Sequence, residues 1–366
     1  MTHKNKKIVI ATGGTGGHIL PAFSLAQHLN KKGFQIKFIS DKRGLKYLKS
    51  DHNLNIITIF TATVFKKNLF KSLVSFFVII FSILKSLKVL INEKPDLIFG
   101  MGGYSSFPVC AAAKALKIPF ILYENNLHIG KANRYLVPYA KKIFVSYKEL
   151  QGVPSRYEYK ICEIGNIIRK EIIDFNNKSK TYEVDKKLSI LVMGGSQAAK
   201  IFGERLPEIF KECVLSNIKL RIFQQCLPDQ NKKLKSFYDN LKIENEVFNF
   251  TNNLLDYFSK TDLAVTRSGS SMLAELINAK IPFISIPLPS SAEDHQLKNA
   301  IYYEKNGYSY LVEERDVDSK LFKLLKMINN DSNNLRQILL KQSQYSDKSV
   351  YKNIDEQIQK ILNEKN

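Results

Sequence analysis

Short apolar runs alternate with segments of helical periodicity along this chain, and the alternation occurs twice. In the first half the strand candidates are 7–11, "QIKFIS" 35–40, "NIITIF" 55–60, "DLIFG" 96–100, "PFILY" 119–123 and "KIFVS" 142–146, with periodic segments such as 20–32 and 108–117 between them. Strands apolar on both faces and separated by helices imply a parallel sheet covered on both sides. The polar stretch "DFNNKSKTYEVDKK", 174–187, reads as a linker, and the same grammar then restarts at "LSILVMGGSQAA". Further strand candidates follow at 220–225, 246–250, 262–266, 283–287 and 309–313, and the tail 318–366 reads as helical. At 366 residues the chain is comfortable for two cores. The expected fold class is α/β: two Rossmann-like, doubly wound parallel-sheet domains, 1–170 and 171–366, facing a cleft, with ligands at the carboxyl ends of the strands.

Four of these strand candidates run straight into glycine- or serine-rich loops that open a helix: "ATGGTGGHILPA" (11–22), "GMGGYSSFP" (100–108), "MGGSQAA" (193–199) and "TRSGSSMLAE" (266–275). Backbone N–H groups at a helix N-terminus, beside the positive end of its dipole, attract phosphate, and a missing Cβ lets the anion approach. One such loop is a weak signal. Four of them, two per half, point to phosphate binding. The dinucleotide fingerprint fails because Ile19 stands where its third glycine is required, and the Walker loop fails because no Gly-Lys-Ser/Thr follows.

Charge is distributed unevenly. Residues 1–170 carry 27 Lys and Arg against 8 Asp and Glu, a net +19, whereas residues 171–366 carry 28 against 26, a net +2. The first half is therefore suited to an anionic surface, membrane or nucleic acid. "KSLVSFFVIIFSILKSLK" (71–88) favours membrane: it is uncharged from Ser72 through Leu84 and flanked by lysines. Thirteen helical residues cover about 20 Å, short of a bilayer's core of about 30 Å, so the segment is either a buried core helix or one lying in the lipid interface. The four cysteines are scattered without a CxxC pair, as in a reduced cytoplasmic protein, and the N-terminus leads into a strand with no signal-peptide pattern.

The motifs "GGTGGHILPA" (13–22), "GGYSSFP" (102–108), "YENN" (123–126), "GNIIR" (165–169), "GGSQAA" (194–199), "RSGSSMLAE" (267–275) and "HQLKNA" (295–300) resemble, in order, the signatures of the MurG family of peptidoglycan glycosyltransferases and span about 290 of the 366 residues. Four positions depart from the family: it usually has His-Glu-Gln-Asn at Tyr123–Asn126, so Tyr123 and Asn125 differ, and it has proline at Ile167 and glycine at Ala198. The resemblance implies a GT-B fold and inverting transfer of N-acetylglucosamine from UDP-GlcNAc to lipid I, forming lipid II. The donor would bind mainly the C-terminal domain and the lipid acceptor the N-terminal one, with the last helix packing back on the N-terminal domain. Implied too are a peripheral location on the cytoplasmic face of the inner membrane, contact with its anionic surface, cell-wall synthesis proteins as partners, no nucleic acid and no cofactor.

Residue roles follow by motif correspondence. His18 is the candidate base, since the acceptor hydroxyl loses a proton as it attacks and an imidazole is suited to take it; the alternative is that it only caps the helix. Thr15, Gly16 and Gly17 would line the donor side, Asn126 would bond the N-acetylglucosamine, Arg169 would pair with the diphosphate, and Ser196 would offer hydroxyl and N–H to phosphate. Thr251 would meet uracil. Ser270, Ser271, Met272, Leu273, Ala274 and Glu275 would wrap the nucleotide, with Glu275 on the ribose hydroxyls, and Gln296 would contact sugar hydroxyls. Gly14, Gly102, Gly103 and Tyr104 are candidates for the acceptor. His28 is expected on a helix surface. The "DVD" of Asp316 and Asp318 is read as helix capping, and no metal is expected. The rivals are a transferase acting on another lipid such as diacylglycerol, a sugar-nucleotide epimerase of related fold, and a basic scaffold without catalysis.

Overall fold

The computed structural model describes residues 6–14, 16–44, 55–59, 69–175, 187–251 and 253–364, with only the main-chain course at 69–72 and 196–199. Most of the linker candidate, 176–186, lies outside the described residues. The chain divides into two compact units, one of Met1–Arg169 with Asp347–Asn366 and one of Lys170–Ser346.

The first unit is built on a seven-stranded sheet in the order β3-β2-β1-β4-β5-β6-β7. Its strands are β1 (Lys7–Ala11), β2 (Gln35–Ser40), β3 (Ile56–Thr58), β4 (Leu97–Gly100), β5 (Phe120–Glu124), β6 (Lys142–Val145) and β7 (Ile161–Glu163). Every pairing is parallel. β7 was not among the sequence candidates: three half-exposed or exposed residues on a sheet edge carry no apolar run. The helices are α1 (Gly16–Lys31), α2 (Leu69–Glu93), α3 (Ser106–Ala115), α4 (Lys131–Leu136) and, from the end of the chain, α13 (Val350–Asn363). Val9, Ile98, Leu122 and Ile143 from the strands pack with Val109, Cys110, Ala112 and Ala113 of α3 in one core cluster.

The second unit repeats the plan with six parallel strands in the order β10-β9-β8-β11-β12-β13. These are β8 (Leu188–Met193), β9 (Leu220–Gln225), β10 (Glu244–Phe248), β11 (Leu263–Thr266), β12 (Phe283–Ser285) and β13 (Tyr310–Leu311). Its helices are α5 (Lys170–Ile173), α6 (Gly195–Leu215), α7 (Asn231–Asn240), α8 (Leu254–Lys260), α9 (Ser270–Asn278), α10 (His295–Lys305), α11 (Val317–Asn330) and α12 (Asn333–Ser343). Sequential strands are laid down outward from β1 to one edge and then from β4 to the other, and β8 and β11 repeat this reversal in the second sheet. A reversal of this kind leaves adjacent loops pointing away from each other's crossover helices, and ligands of doubly wound sheets bind there.

α2 is longer than its uncharged core, 25 residues or about 37 Å. By length and composition it is apolar enough to cross a membrane, yet its burial is one-sided. Ser75, Ser82, Ser86 and Leu90 face the protein, while Leu73, Val74, Phe76, Phe77, Ile80, Phe81 and Leu84 are exposed. The usual amphipathic order is inverted: small hydroxyl side chains lie inward, bonded back to their own helix at Ser82 Oγ–Val78 O (2.8 Å) and Ser86 Oγ–Ser82 O (2.7 Å), and large apolar ones point outward.

α13 belongs to the first unit because its apolar face has a partner there: Val350, Ile354, Ile358, Ile361 and Leu362 are buried. Asp355 accepts from Lys32 (2.9 Å) and lies 2.7 Å from His28 Nε2, and the His28 ring stacks on Tyr351 at 4.5 Å. His28 is thus half-buried and paired, not on an open helix surface, because α13 covers that side of α1. Truncating Ile358, 1% exposed, to alanine removes three methyl(ene) groups from this seam. Denaturant unfolding of Ile358→Ala should show a loss of about 3 kcal/mol in the transition that reports the first unit.

Candidate functional site

In the first sheet Ala11 is in register with Gly100, so the loops after β1 and β4 leave the carboxyl edge side by side, and Met101 N donates to Ala11 O (2.9 Å). His18 stands in the first turn of α1, half-buried, and its carbonyl accepts from Thr12 Oγ1 (3.1 Å). The glycines here serve the protein's own packing. A Cβ on Gly102 would stand 3.1 Å from both Nδ1 and Cε1 of His18, and one on Gly103 would stand 3.4 Å from Cδ2 and 3.2 Å from Gly13 O. Both glycines also have positive φ, 82° and 74°. A Cβ on Gly13 would overlap Ser105 Oγ at 2.1 Å. The space expected for phosphate at Gly13, Gly102 and Gly103 is therefore taken by Ser105 and by the His18 imidazole, which the second loop cradles.

Asp41, at the carboxyl end of β2, ties these loops together. Its Oδ1 accepts from Gly14 N (3.1 Å) and Gly44 N (2.9 Å); its Oδ2 accepts from Arg43 Nε (3.1 Å), Arg43 Nη2 (2.7 Å) and Ser105 Oγ (3.0 Å). Burial raises the carboxyl pKa, but the hydrogen bonds from Gly44, Arg43, Gly14 and Ser105 outweigh it and bring it down to about 2. Ser105, at the N-cap of α3, donates its hydroxyl to Asp41 and makes no side-chain cap bond to the helix amides.

Pro21, inside α1, cannot donate the N–H that would bond the Gly17 carbonyl. Asn125 Nδ2 supplies that bond instead, at 3.1 Å, and so joins the loop after β5 to the first turn of α1. Glu124 organises the same loop: Oε1 accepts from Asn126 N (3.3 Å) and Nδ2 (3.0 Å), and Oε2 accepts from Gly130 N (2.9 Å) and Asn133 Nδ2 (3.0 Å). Asn126 is half-buried at this edge, as is Tyr104. Gly14, Gly16, Gly17, His18, Gly102, Gly103, Tyr104 and Asn126 thus gather at one carboxyl edge; Thr15 lies outside the described residues.

Two departures from the family pattern meet in space. Ile167, where proline is usual, has an N–H, and it donates to the hydroxyl of Tyr123 (3.0 Å), the residue standing where histidine is usual. Tyr123 OH also lies 3.2 Å from Ser146 Oγ. The tyrosine hydroxyl thus gives the buried Ile167 N–H an acceptor, and the two departures fit each other. The segment leading to Arg169 is pinned further by Asp347, which accepts from Asn166 N (2.9 Å) and Nδ2 (3.2 Å), and by Tyr351 OH on Ile168 O (2.7 Å). Arg169 itself is half-buried at the end of this strap.

In the second sheet Thr266 is in register with Met193, and Thr266 Oγ1 donates to Met193 O (3.1 Å). Gly194 and Gly269 stand at the N-caps of α6 and α9, neither helix has an acidic residue in its first turn, and among the described residues nothing lies within 4 Å of a Cβ built on Gly195 or Gly269. Gly195 N points to Gln225 Oε1 (3.2 Å), and Gln225 Nε2 donates to Asn249 O (3.3 Å), so the loops after β8, β9 and β10 are linked. Arg267, buried, donates to Ile286 O and Pro287 O (3.2 Å each), pairs with Glu314 and lies over the Phe202 ring at 4.8 Å, which links the loops after β11 and β12.

The remaining candidates divide. Thr251 is half-buried just beyond β10, its hydroxyl accepting from Asn253 N (3.0 Å). Gln296 opens α10, its Oε1 accepting from Leu288 N (3.0 Å). Ser271 and Met272 are half-exposed, whereas Ser270 and Glu275 are buried and Leu273 and Ala274 wholly so. Leu273 and Ala274 have no exposed surface, and Leu273 N is already bonded to Gly269 O (3.1 Å). The side chain of Ser196 is not among those described. Asp318 pairs with Arg205, and Asp316 stands at the N-cap of α11 and pairs with Lys320 (2.8 Å). Sequence reasoning missed Asp41, Arg43, Ser105, Gln225, Arg267 and Asp347; for Asp41 the signal was an acid directly after a buried strand, "FISD", beside a glycine loop.

The glycosyltransferase family 28 N-terminal domain profile matches residues 8–145, and the family 28 C-terminal domain profile matches 189–364. The chain belongs to glycosyltransferase family 28. A relative from Pelagibacter ubique is 34% identical over 364 residues, covering 98% of this chain and 99% of its own, and one from Rickettsia bellii is 36% identical over 341 residues, covering 90% and 94%. Both are named UDP-N-acetylglucosamine–N-acetylmuramyl-(pentapeptide) pyrophosphoryl-undecaprenol N-acetylglucosamine transferase. The fold of this family 28 enzyme matches the crystal structure of Acinetobacter baumannii MurG with a TM-score of 0.77 at 24% identity, covering 97% and 99% of the two chains. It matches an S. aureus MnaA–UDP co-structure with 0.70 at 17% identity, covering 98% and 97%. Two parallel-sheet α/β units are the GT-B architecture expected from the sequence.

The Asp41 web makes a pH-dependent claim. Its folded-state pKa lies below the ordinary 3.8, so the stabilisation, about 2 kcal/mol, is complete above pH 4 and lost as pH falls towards 2. Thermal melts of wild type and Asp41→Asn should differ by a constant amount above about pH 5 and by progressively less as pH falls towards about 2; a gap independent of pH would contradict the web.

Proposed function

We propose that this enzyme transfers N-acetylglucosamine from UDP-GlcNAc to undecaprenyl-pyrophosphoryl-MurNAc-pentapeptide, lipid I, forming lipid II. The observation that carries the reading is the second unit's reversal point, where α6 and α9 start at glycine N-caps that make no side-chain cap bond and, among the described residues, nothing crowds Gly195 or Gly269. A diphosphate can therefore approach the helix starts, displacing Gln225 from Gly195 N. Near full-length identity to relatives named for this transfer supports the acceptor.

The chemistry assigned to the residues is a single displacement. The acceptor hydroxyl attacks the anomeric carbon, the UDP oxygen leaves from the opposite side, and the configuration inverts. His18 accepts the hydroxyl proton on the imidazole that Gly102 and Gly103 cradle. The charge growing on the leaving UDP is stabilised by the N-terminal amides of α6 and α9 and by Arg169. Ser271, Thr251 and Gln296 are placed on the donor, with Glu275 towards the ribose. Asn126 is placed on the N-acetylglucosamine.

The same reading puts the first unit on the cytoplasmic face of the membrane. A helix whose outward side is Leu73, Phe76, Phe77, Ile80, Phe81 and Leu84, in a half of net charge +19, fits the interface of an anionic bilayer. Sedimentation with vesicles containing anionic lipid should show at least tenfold weaker binding for a Phe76→Ser, Phe77→Ser, Phe81→Ser variant than for wild type, with unchanged circular dichroism.

Activity is tested with labelled UDP-GlcNAc and a lipid I analogue, with diacylglycerol as the competing acceptor. Wild type should label lipid I alone, and His18→Ala should lower kcat by about 100-fold or more. Labelling of diacylglycerol, or of no acceptor, would overturn the functional reading; a near-normal His18→Ala rate would overturn only the proposed base.

A further inference from the structure

We propose that Arg43, held in place by Asp41, is the cation that recognises the diphosphate of the lipid acceptor on the first unit. The inference rests on the functional reading above and adds a residue that the motifs do not contain.

The first glycine loop contains an electrostatic conflict. Gly14 N is committed to Asp41 at 3.1 Å, so this amide is not offered to a ligand, and a buried carboxylate lies directly behind the loop. On its own such a carboxylate repels phosphate. Arg43 resolves the conflict. Its Nε and Nη2 both bond Asp41 Oδ2, and Nη2 stands 3.9 Å from the place a Cβ on Gly14 would occupy. The guanidinium therefore covers the carboxylate on the side of the loop, while its side chain remains 60% exposed.

Three physical consequences follow. The Asp41 negative charge is neutralised locally, so the approach to Gly14 is not anionic. The long Arg43 side chain is fixed before any ligand arrives, which lowers the conformational entropy lost on binding. The edge of the guanidinium not used by Asp41 is planar and permanently charged, a geometry that pairs with two phosphate oxygens at once. Asp41 also holds Gly44 N and Ser105 Oγ, at 2.9 and 3.0 Å, so Arg43 is positioned relative to the loops after β1, β2 and β4 together. An arginine that merely closed the β2 loop would need none of this proximity to Gly14.

The test compares wild type, Arg43→Ala and Arg43→Lys, with steady-state kinetics for each substrate and calorimetric binding of geranyl diphosphate and geranyl monophosphate in the absence of donor. Arg43→Ala should raise KM for the lipid I analogue at least tenfold and leave KM for UDP-GlcNAc within twofold. It should also weaken geranyl diphosphate binding at least tenfold, with a smaller effect on the monophosphate. Arg43→Lys keeps the charge but loses the fork and should fall between the two. If wild type transfers sugar to lipid I while Arg43→Ala keeps a normal acceptor KM, or if both KM values rise alike, this inference is overturned and the functional reading stands. If wild type transfers no sugar to lipid I, the functional reading fails and the acceptor assignment of Arg43 fails with it.

Discussion

All strand pairings in both sheets are parallel, and in each sheet the order reverses once. That constraint governs the rest of the molecule. A parallel strand can be followed only by a crossover, and at the reversal the crossovers go to opposite faces, so the two loops between them are left adjacent and uncovered. Ala11 beside Gly100 and Thr266 beside Met193 mark the two places. The four glycine-bearing loops seen in the sequence fall at these two places, two per sheet.

The two reversal points are finished differently. In the first unit the glycines make room for protein: His18 lies on Gly102 and Gly103, Ser105 crowds Gly13, and Asp41 binds the loops from below. The result is a packed, pre-arranged edge in which the half-buried His18 imidazole is held by the second loop. In the second unit nothing among the described residues crowds Gly195 or Gly269, and neither helix start has a side-chain cap at its N-cap glycine. There the main chain is the instrument, and Arg267 and Gln225 work behind it by tying neighbouring loops together. An edge packed around an imidazole and an edge of glycine-started helices suit the two roles proposed for them, activation of an acceptor and retention of a leaving diphosphate.

Much of this was legible in the sequence. Among the described residues, period and apolarity located twelve of the thirteen strands, since even the half-exposed edge strands β3 and β13 lie in apolar runs. β7, Ile-Cys-Glu on the other edge, escaped because it lies in none. The loops were legible because a glycine cluster directly after a strand costs stability unless something must approach the backbone closely. What approaches each glycine was not legible, since it depends on what the fold brings near: the imidazole over Gly102 comes from 84 positions earlier in the chain. The partners of Asp41 and Asp347 were hidden for the same reason, each acting on loops distant in sequence. Leu273 and Ala274 lie in a functional motif but serve the core, because a helix that presents its first turn to a ligand must bury the next. The pairing of Tyr123 with Ile167 accounts for two unusual residues at once, although each looked like an isolated departure.

The central claim is that the second unit holds the nucleotide through main-chain amides at its reversal point. Amide hydrogen exchange of the whole enzyme, with and without UDP, reads this directly. The account predicts slowed exchange concentrated at the starts of α6 and α9, around Gly195 and Gly269, with the edge strand β13 unchanged. Protection that bypasses both helix starts and appears elsewhere in the chain would contradict it.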